Sequence, residues 1–250
     1  MYNPMVPAEP KAAEAAFYDD YYQSGELDTL NGFYLHSAGV LEYERRIYAE
    51  CEWKRVLEYG CGIASNAVHL AQRGADVCGI DISSVAIERA RAAAGVVTRG
   101  RVEYRVQDAH DLQFSDGSFD LVCGTGIIHH LDIDRAMPEV RRVLKPGGRA
   151  VFYEPVAHNP LVNLYRVATP SKHTPDEHPL TMGDIRRIRS GFASMETKFF
   201  DLFSIFAIPF LRLPGAMSLF RMLEKVDRTV LGTLTPMHRW AATVVLDGCR

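Results

Sequence analysis

The 250-residue sequence lacks the features that mark several classes of protein. Lys and Arg form no cluster and the formal net charge is −3, so nucleic acid is not an expected partner, because phosphate binding needs clustered cations. The five cysteines form no CxxC pair, which predicts reduced thiols and no metal site. The first residues show no basic region followed by an apolar one, so no secretory signal is expected. Together these absences predict a cytoplasmic protein.

A membrane-spanning segment is also missing. The longest apolar stretch, residues 199–223, contains two prolines and three charged residues. A spanning helix needs about twenty mostly uncharged apolar residues, so we expect no stable membrane insertion. The stretch is nevertheless rich in phenylalanine, which leaves room for a pocket that binds a lipophilic small molecule or for a homodimer interface.

Apolar runs of strand length alternate with helical segments from Trp53 to Pro155, as expected of βα units around a parallel sheet. The pattern predicts an α/β fold with a doubly wound, mostly parallel sheet and a helical cap. We predict four segments: a helical cap at 1–50, a ligand-binding core at 51–155, a cap or substrate-binding insertion with helices and a strand at 156–238, and a final core strand at 239–250.

The first strand, which starts near Val56, runs directly into a glycine-bearing turn and a helix. Gly60 and Gly62 let the backbone approach a ligand closely, and the helix start offers free N–H groups. A nicotinamide dinucleotide prefers GxGxxG here, but Ser65 replaces the third glycine, and Glu58 would repel a pyrophosphate. A ligand carrying an ammonium and a sulfonium group fits the carboxylate better.

Acids end the next two strands. Asp81 lies nineteen residues after Gly62, where a ribose diol lies in either kind of nucleotide site. Asp108 ends the third strand and is placed to accept a hydrogen bond from an exocyclic amine. Small residues from Gly124 to Gly126 end the fourth strand and leave space at the topological switch point. The sequence therefore predicts one ligand site at the carboxyl edge of the sheet.

Taken together, these motifs resemble the class I S-adenosylmethionine-dependent methyltransferases, especially the small-molecule branch. The resemblance covers about residues 50–155 and rests on ExGCG at 58–62, the GIDIS acid at 81, QDA at 107–109, FDLV followed by HHL, and LKPGG at 144–148. One departure is Ala64, which stands where the family often has a third glycine. The resemblance implies a Rossmann-like sheet of seven strands with S-adenosyl-L-methionine as the cofactor.

By this resemblance, the methionine part of the cofactor would border the backbone from Gly60 through Cys61 to Gly62. Glu58 would help orient its amino group, and Gly124 would offer its carbonyl to the same group. The Cys61 thiol itself is expected to be a small filler rather than a nucleophile.

The adenosine part would contact a second set of residues. Asp81 would bind the ribose, and Ile82 would pack on the adenine. Asp108 and the Ala109 amide would read the edge of the base. Tyr22, with the tyrosines beside it, would close over the cofactor from the N-terminal helix, with packing against the core as the alternative.

Three residues are candidates for catalysis at the same edge. His129 and His130 follow the fourth strand, and either one could remove a proton from the acceptor. Glu154 ends the fifth strand and is the second candidate for acceptor contact. Each has a structural alternative, as a residue at the start of a helix or a strand-end acid. A base is needed only for a hydroxyl or a protonated amine, because methyl transfer is an in-line displacement.

The predicted function is methyl transfer to a small molecule, with a hydroxyl oxygen of a natural-product or sugar-like compound as the first candidate and nitrogen or carbon left open. A nicotinamide-dependent oxidoreductase and a non-catalytic methyltransferase-like binding scaffold are the alternatives. Polar residues in the loop at 159–179 are candidates for a substrate cap: Tyr165, His173, Asp176, Glu177 and His178.

Overall fold

The computed structural model describes residues 9–24, 37–63, 65–168, 178–211 and 213–250. Within these residues, seven strands form one sheet in the order β3-β2-β1-β4-β5-β7-β6. The strands are β1 (Arg55–Tyr59), β2 (Asp76–Asp81), β3 (Arg101–Val106), β4 (Phe119–Thr125), β5 (Leu144–Pro155), β6 (Ser194–Phe200) and β7 (Thr243–Cys249). The first five pair in parallel, and β7 runs antiparallel to both β5 and β6. The predicted mostly parallel, seven-stranded sheet is confirmed.

Helices cover both faces of the sheet. In the described part of the chain they are α1 (Glu9–Ser24), α2 (Ala38–Ala49), α3 (Ala67–Gln72), α4 (Ser84–Ala93), α5 (Ile133–Val143), α6 (Pro160–Ala168), α7 (Met182–Ser190) and α8 (Ala216–Thr233). Apolar residues of α2, α3 and α4 belong to one buried cluster, and those of α5 and α7 belong to another. None of these helices is both long and apolar enough to cross a bilayer.

Successive residues of the central strands supply the two clusters alternately. In β1, Val56 belongs to the cluster on the α2 side and Leu57 to the cluster on the α5 side. In β4, Leu121 likewise belongs to the cluster on the α2 side and Val122 to the cluster on the α5 side. Side chains of a strand point to opposite faces in turn, so continuous apolar runs indicate a sheet that is buried on both sides.

The order of the strands creates the crevice that a ligand needs. From β1 the chain moves outward to β2 and β3, and it then returns to place β4 on the other side of β1. Connections that leave β1 and β4 in opposite directions open a space beyond their carboxyl ends. The turns after Tyr59, Asp81 and Thr125 therefore meet at one edge of the sheet.

Residues 156–238, predicted as an insertion, contain α6, α7, β6 and α8. Strand β6 is part of the main sheet, since all seven of its residues pair with β7. The remaining elements lie beyond the end of β5, and the 3-10 turn Ser204–Phe210 packs closely on α8. The division of the chain into four segments stays a prediction.

A fully buried carboxylate connects this region to α2 and the sheet. Asp201 accepts hydrogen bonds from the hydroxyls of Ser37, at 2.7 Å, and Thr243, at 2.6 Å. Burial raises the pKa of Asp201 to about 6, although these hydrogen bonds oppose the shift; nearby Asp227 and Glu224 add to it. The folded protein therefore binds a proton at Asp201 more tightly than the unfolded chain does.

This difference predicts a pH-dependent stability. The contribution of Asp201 is fully present below about pH 4 and is lost as the pH rises through about 6, a change of up to about 3 kcal/mol. Asp201→Asn cannot titrate, so its free energy of unfolding should lack this decline. Urea unfolding across that pH range measures the difference, and Asp111→Asn, which changes an exposed acid, is the control. Parallel pH curves for wild type and Asp201→Asn would contradict the assignment.

Candidate active site

A cavity of about 370 Å³ lies at the carboxyl ends of β1, β2 and β4, beneath α1. Eight of the ten predicted cofactor contacts line it: Tyr22, Gly60, Cys61, Gly62, Asp81, Ile82, Asp108 and Ala109. Glu58 and Gly124 are not among the lining residues. Of the three catalytic candidates, only His130 lines the cavity. The edge of the sheet thus gathers most of the predicted site into one space.

The turn after β1 depends on two glycines. Gly60 has φ +68°, and a Cβ there would lie 2.6 Å from the side chain of Ile127. Gly62 has φ +51°, and a Cβ there would lie 3.0 Å from the hydroxyl oxygen of Tyr22. The left-handed backbone favours glycine at both positions, and at Gly60 there is also no space for a side chain. The turn therefore presents its bare backbone to the cavity.

Asp81 fixes this turn from the neighbouring strand. One carboxylate oxygen accepts the backbone N–H of Gly62 at 2.8 Å, and the other accepts that of Ser83 at 2.9 Å. Burial raises the pKa of Asp81. An ionised carboxylate has about four acceptor positions, so Asp81 keeps acceptor capacity for the hydroxyls of a ribose. Asp81 is therefore equipped to hold the turn and a diol together.

Removing this carboxylate should weaken cofactor binding. Asp81→Ala is expected to raise the Kd for S-adenosylhomocysteine by about 5- to 150-fold, equivalent to about 1–3 kcal/mol for stranded hydrogen-bonding partners. Titration calorimetry measures the change. The matched control is Asp76→Ala, which removes an exposed acid at the opposite end of β2. Equal affinity in the two variants would rule out the ribose assignment.

Glu58 is occupied within the turn itself. Its buried carboxylate accepts the backbone N–H groups of Asn66, at 2.6 Å, and Ala67, at 3.1 Å, and the hydroxyl of Ser65. These groups begin α3, where N–H groups lack partners within the helix. Burial raises the pKa of Glu58 to about 7. Glu58 does not line the cavity. Its contact with the methionine amino group stays a prediction.

Gly124 lies between strands rather than on the cavity wall. A Cβ there would lie 2.6 Å from the carbonyl oxygen of Tyr59 and 2.9 Å from the side chain of Ile127. Close packing of β4 on the end of β1 thus accounts for the glycine. The predicted role of its carbonyl stays a prediction.

Beyond β3, Asp108 is paired with a residue that the sequence motifs did not single out. One carboxylate oxygen of Asp108 accepts the backbone N–H of His110 at 2.8 Å and lies 3.0 Å from its Nδ1. The backbone N–H of Asp132 donates to His110 Nε2 at 3.0 Å, so Nδ1 carries the proton and donates to Asp108. This chain of hydrogen bonds fixes the loop that carries Ala109.

Helix α1 covers the cavity and is tied to the start of α4. The Asp19 carboxylate accepts the Ser83 hydroxyl at 2.5 Å and the Val85 backbone N–H at 3.2 Å. The hydrogen bond from Ser83 lowers the pKa of Asp19. Tyr22 lies on the same helix and lines the cavity; burial, with the charge of Asp81, raises its pKa. Asp19 escaped the sequence-based prediction because its partners lie more than sixty residues away.

The two adjacent histidines have different surroundings. His130 faces the cavity, and its Nδ1 lies 3.0 Å from the hydroxyl oxygen of Tyr18 on α1. His129 is buried, and its Nδ1 lies 2.8 Å from a carboxylate oxygen of Glu154. Glu154 is fully buried and also accepts the backbone N–H groups of Ile127 and Ile128, at 3.0 and 2.9 Å. The structure thus places His130 on the cavity wall, whereas His129 and Glu154 form a buried pair that does not line the cavity.

Two further features bear on ligands. Within the described ranges, no group of three or more His, Cys, Asp and Glu side chains is arranged to hold a metal ion. The loop candidates His173, Asp176 and Glu177, the side chain of Tyr165, and Ala64 lie outside the described residues. His178 is exposed, and its backbone N–H donates to the carbonyl of His129 at 2.9 Å.

Comparison with known proteins finds a methyltransferase domain in the central part of the chain. A family profile described as a methyltransferase domain matches residues 57–152. O-methyltransferase resE of Aspergillus sclerotiorum is 38% identical over 99 residues, which cover 38% of this chain and 38% of that protein. The chloroplastic tocopherol O-methyltransferase of Arabidopsis thaliana is 37% identical over 121 residues, which cover 47% of this chain and 34% of that protein. The chain thus matches little more than a third of the length of these relatives.

A solved structure shares the fold at low identity. Phosphoethanolamine N-methyltransferase 2 of Haemonchus contortus, in complex with S-adenosyl-L-methionine, has a TM-score of 0.61 at 20% identity, covering 84% of this chain and 51% of that one. The profile match spans the strands that carry the glycine turn and Asp81. Residues 57–152 match the methyltransferase domain, in line with the family that the sequence motifs predict, and the fold is that of a solved methyltransferase in complex with S-adenosyl-L-methionine.

Proposed function

We propose that this chain methylates a hydroxyl oxygen of a small, largely apolar molecule. The observation that carries the proposal is the position of His130, an imidazole on the cavity wall held by the Tyr18 hydroxyl. A hydroxyl must lose its proton as it gains a methyl group, and an imidazole at this place can accept that proton. Both curated relatives described above have names that state O-methylation.

The lining residues fit S-adenosylmethionine. Gly62 leaves no Cβ between the turn and Tyr22, and Asp81 keeps acceptor capacity for a diol. Ile82 and Ala109 offer apolar surface on the side where Asp108 lies. When bound, S-adenosylmethionine supplies an electrophilic methyl group on a sulfonium sulfur.

The chain's own residues account for orientation, exclusion of water and proton removal. When His130 Nδ1–H donates to the Tyr18 oxygen, Nε2 of the neutral imidazole carries the lone pair that can accept the proton of the acceptor hydroxyl. Helix α1, tied down by Asp19, covers this arrangement and limits the access of water. Exclusion of water strengthens each polar contact within the cavity.

Apolar groups surround the proposed base. Ile127 and Leu131 line the cavity on either side of the two histidines, with Thr125 at the end of β4. Burial of apolar surface contributes about 25 cal/mol per Å², so this wall favours an acceptor with a hydrocarbon or aromatic body. The natural-product class fits this wall better than a sugar does.

An isotope-transfer experiment tests the proposal. The purified chain is incubated with methyl-labelled S-adenosylmethionine and a panel of phenols, fatty acids, apolar alcohols, sugars and amines, and products are identified by mass spectrometry. We expect label on oxygen in an apolar acceptor. Label found only on nitrogen or carbon, or only in sugars, would contradict it. Binding of S-adenosylhomocysteine without transfer to any acceptor would favour the non-catalytic scaffold, and binding of a nicotinamide dinucleotide would favour the oxidoreductase.

A further inference from the structure

An exposed apolar surface that is not part of the cavity lining lies on the 3-10 turn Ser204–Phe210, on Leu213 and on α8. We call it the cap face, and it consists of Phe206, Phe210, Leu213, Leu219, Met222 and Val226. These side chains are between 41% and 58% exposed. Single exposed apolar residues are common, but a group of six within about twenty residues marks an interaction site.

Helix α8 shows why this surface is not simply the edge of the core. Its buried residues include Ala216, Phe220 and Leu231, which define the inner side of the helix. Leu219, Met222 and Val226 recur at three- and four-residue spacing on another side of the same helix. A surface helix needs only one apolar stripe to pack on its own domain. The second stripe is left exposed by the described part of the chain.

The charges near the cap face are predominantly positive. Residues 204–240 contain five Lys and Arg against two Asp and Glu, whereas the whole chain has a formal net charge of −3. The two acids are hydrogen-bonded within the chain: Glu224 is half-buried and accepts the backbone N–H of Ala38 at 3.1 Å, and Asp227 is buried and accepts that of Phe203 at 2.7 Å. The cations Arg221, Lys225, Arg228 and Arg239 are exposed. The charge presented to solvent here is therefore positive.

We infer that the cap face docks on the surface of an anionic lipid bilayer. Apolar side chains of an amphipathic helix enter the boundary between headgroups and acyl chains, and neighbouring Lys and Arg contact lipid phosphates. The interaction is peripheral, consistent with the lack of a bilayer-crossing helix among the described residues. A symmetric contact with a second copy is disfavoured, because a two-fold interface would bring each cationic patch close to its own copy. The inference does not depend on the proposed function.

Vesicle co-sedimentation with the full chain tests this docking. Vesicles of phosphatidylcholine alone are compared with vesicles containing about one third phosphatidylglycerol, at low and high salt. We expect the protein to pellet with the anionic vesicles, to pellet less at high salt because salt screens the cations, and to stay in solution with neutral vesicles. Protein that stays in solution with anionic vesicles at low salt would overturn the inference.

Two pairs of variants separate the apolar and the charged contributions. Met222→Glu with Val226→Glu should reduce partitioning at least tenfold, whereas Val96→Glu, at an 82% exposed apolar residue far from the cap face in sequence, should not. Lys225→Gln with Arg228→Gln should reduce it about 25-fold, about fivefold per cation, whereas Arg135→Gln with Arg186→Gln should not. Unchanged thermal unfolding midpoints check that the variants are folded.

The same variants also test the alternative that a second copy of the chain covers the cap face. If wild type elutes as a dimer, Met222→Glu with Val226→Glu elutes as a monomer, and neither binds vesicles, a second copy covers the cap face and the inference is wrong. Equal vesicle binding by wild type and both cap-face variants would also refute it.

Discussion

His130→Gln is expected to lower kcat about 10²- to 10⁴-fold on the acceptor that the isotope experiment identifies, with little change in the Kd for S-adenosylhomocysteine. His130 lines the cavity, where Tyr18 holds its imidazole at 3.0 Å. Glutamine is close to histidine in size and polarity, but it cannot accept a proton. The variant therefore isolates proton removal from cofactor binding.

The measurement needs a matched histidine and a pH series. His69→Gln changes an exposed histidine on α3 and should leave kcat unchanged. Wild type should lose activity as acid protonates the base, and this limb of the pH–rate profile should vanish in His130→Gln. Tyr18→Phe removes the group that positions the imidazole, so it should lower kcat less and keep the acid limb. If kcat for His130→Gln lies within threefold of wild type, proximity and orientation would account for the rate instead.

The meeting of the glycine turn and the strand-end acids at one cavity was predictable because short-range rules place these residues. A glycine turn after one parallel strand and an acid at the end of the next must meet at the same edge of the sheet. The hydrogen bond from the Gly62 N–H to the Asp81 carboxylate, at 2.8 Å, joins these two elements. The family motifs add Ile82, Asp108 and Ala109 at neighbouring strand ends, and all three line the cavity.

The direction of each side chain was not predictable from the same motifs. Glu58 and Asp81 both lie at the ends of apolar strands. The carboxylate of Glu58 accepts N–H groups at the start of α3, whereas Asp81 lines the cavity. His129 and His130 are adjacent in sequence and lie in a 3-10 turn. In this turn the side chain of His129 is buried and that of His130 lines the cavity. Sequence spacing fixes a position along the chain, whereas the local backbone conformation decides which way a side chain points.

The contacts that attach the cap to the core could not be predicted from the sequence for a different reason. The hydrogen bond from Ser83 to Asp19 joins residues that are 64 positions apart, and the hydrogen bond from Ser37 to Asp201 joins residues that are 164 positions apart. Ser, Asp and Thr are common on surfaces, and nothing in their local pattern marks a distant partner. The helices of the cap were foreseen, but the bonds that attach them to the core were not.

Glu154→Ala is expected to reduce the free energy of unfolding by about 3–5 kcal/mol, because it removes one member of a buried, hydrogen-bonded pair. The carboxylate is fully buried and accepts N–H groups from Ile127 and Ile128 as well as bonding to His129. In the alanine variant these donors lose their acceptor in a space that excludes water, and each carries a desolvation penalty of about 1–3 kcal/mol.

Urea denaturation of three variants measures this role. Glu154→Gln keeps an acceptor oxygen of the same reach and should lose clearly less stability than Glu154→Ala. Glu103→Ala removes an acid on β3 that is bonded to Arg105 at the surface, and exposed pairs of this kind contribute about 0–1 kcal/mol. A loss below about 1 kcal/mol for Glu154→Ala would show that its donors find other acceptors.

The same variant links stability to catalysis. Glu154 holds the backbone of the turn that leads from β4 to His130, so removing it should misplace the proposed base as well as weaken the core. Since misplacing a catalytic group by about 1 Å is enough to cost about 10²-fold in rate, Glu154→Ala should lower kcat even under conditions where the protein stays folded. His130→Gln, by contrast, should lower kcat with little loss of stability, because its side chain lies on the cavity wall and not in the core.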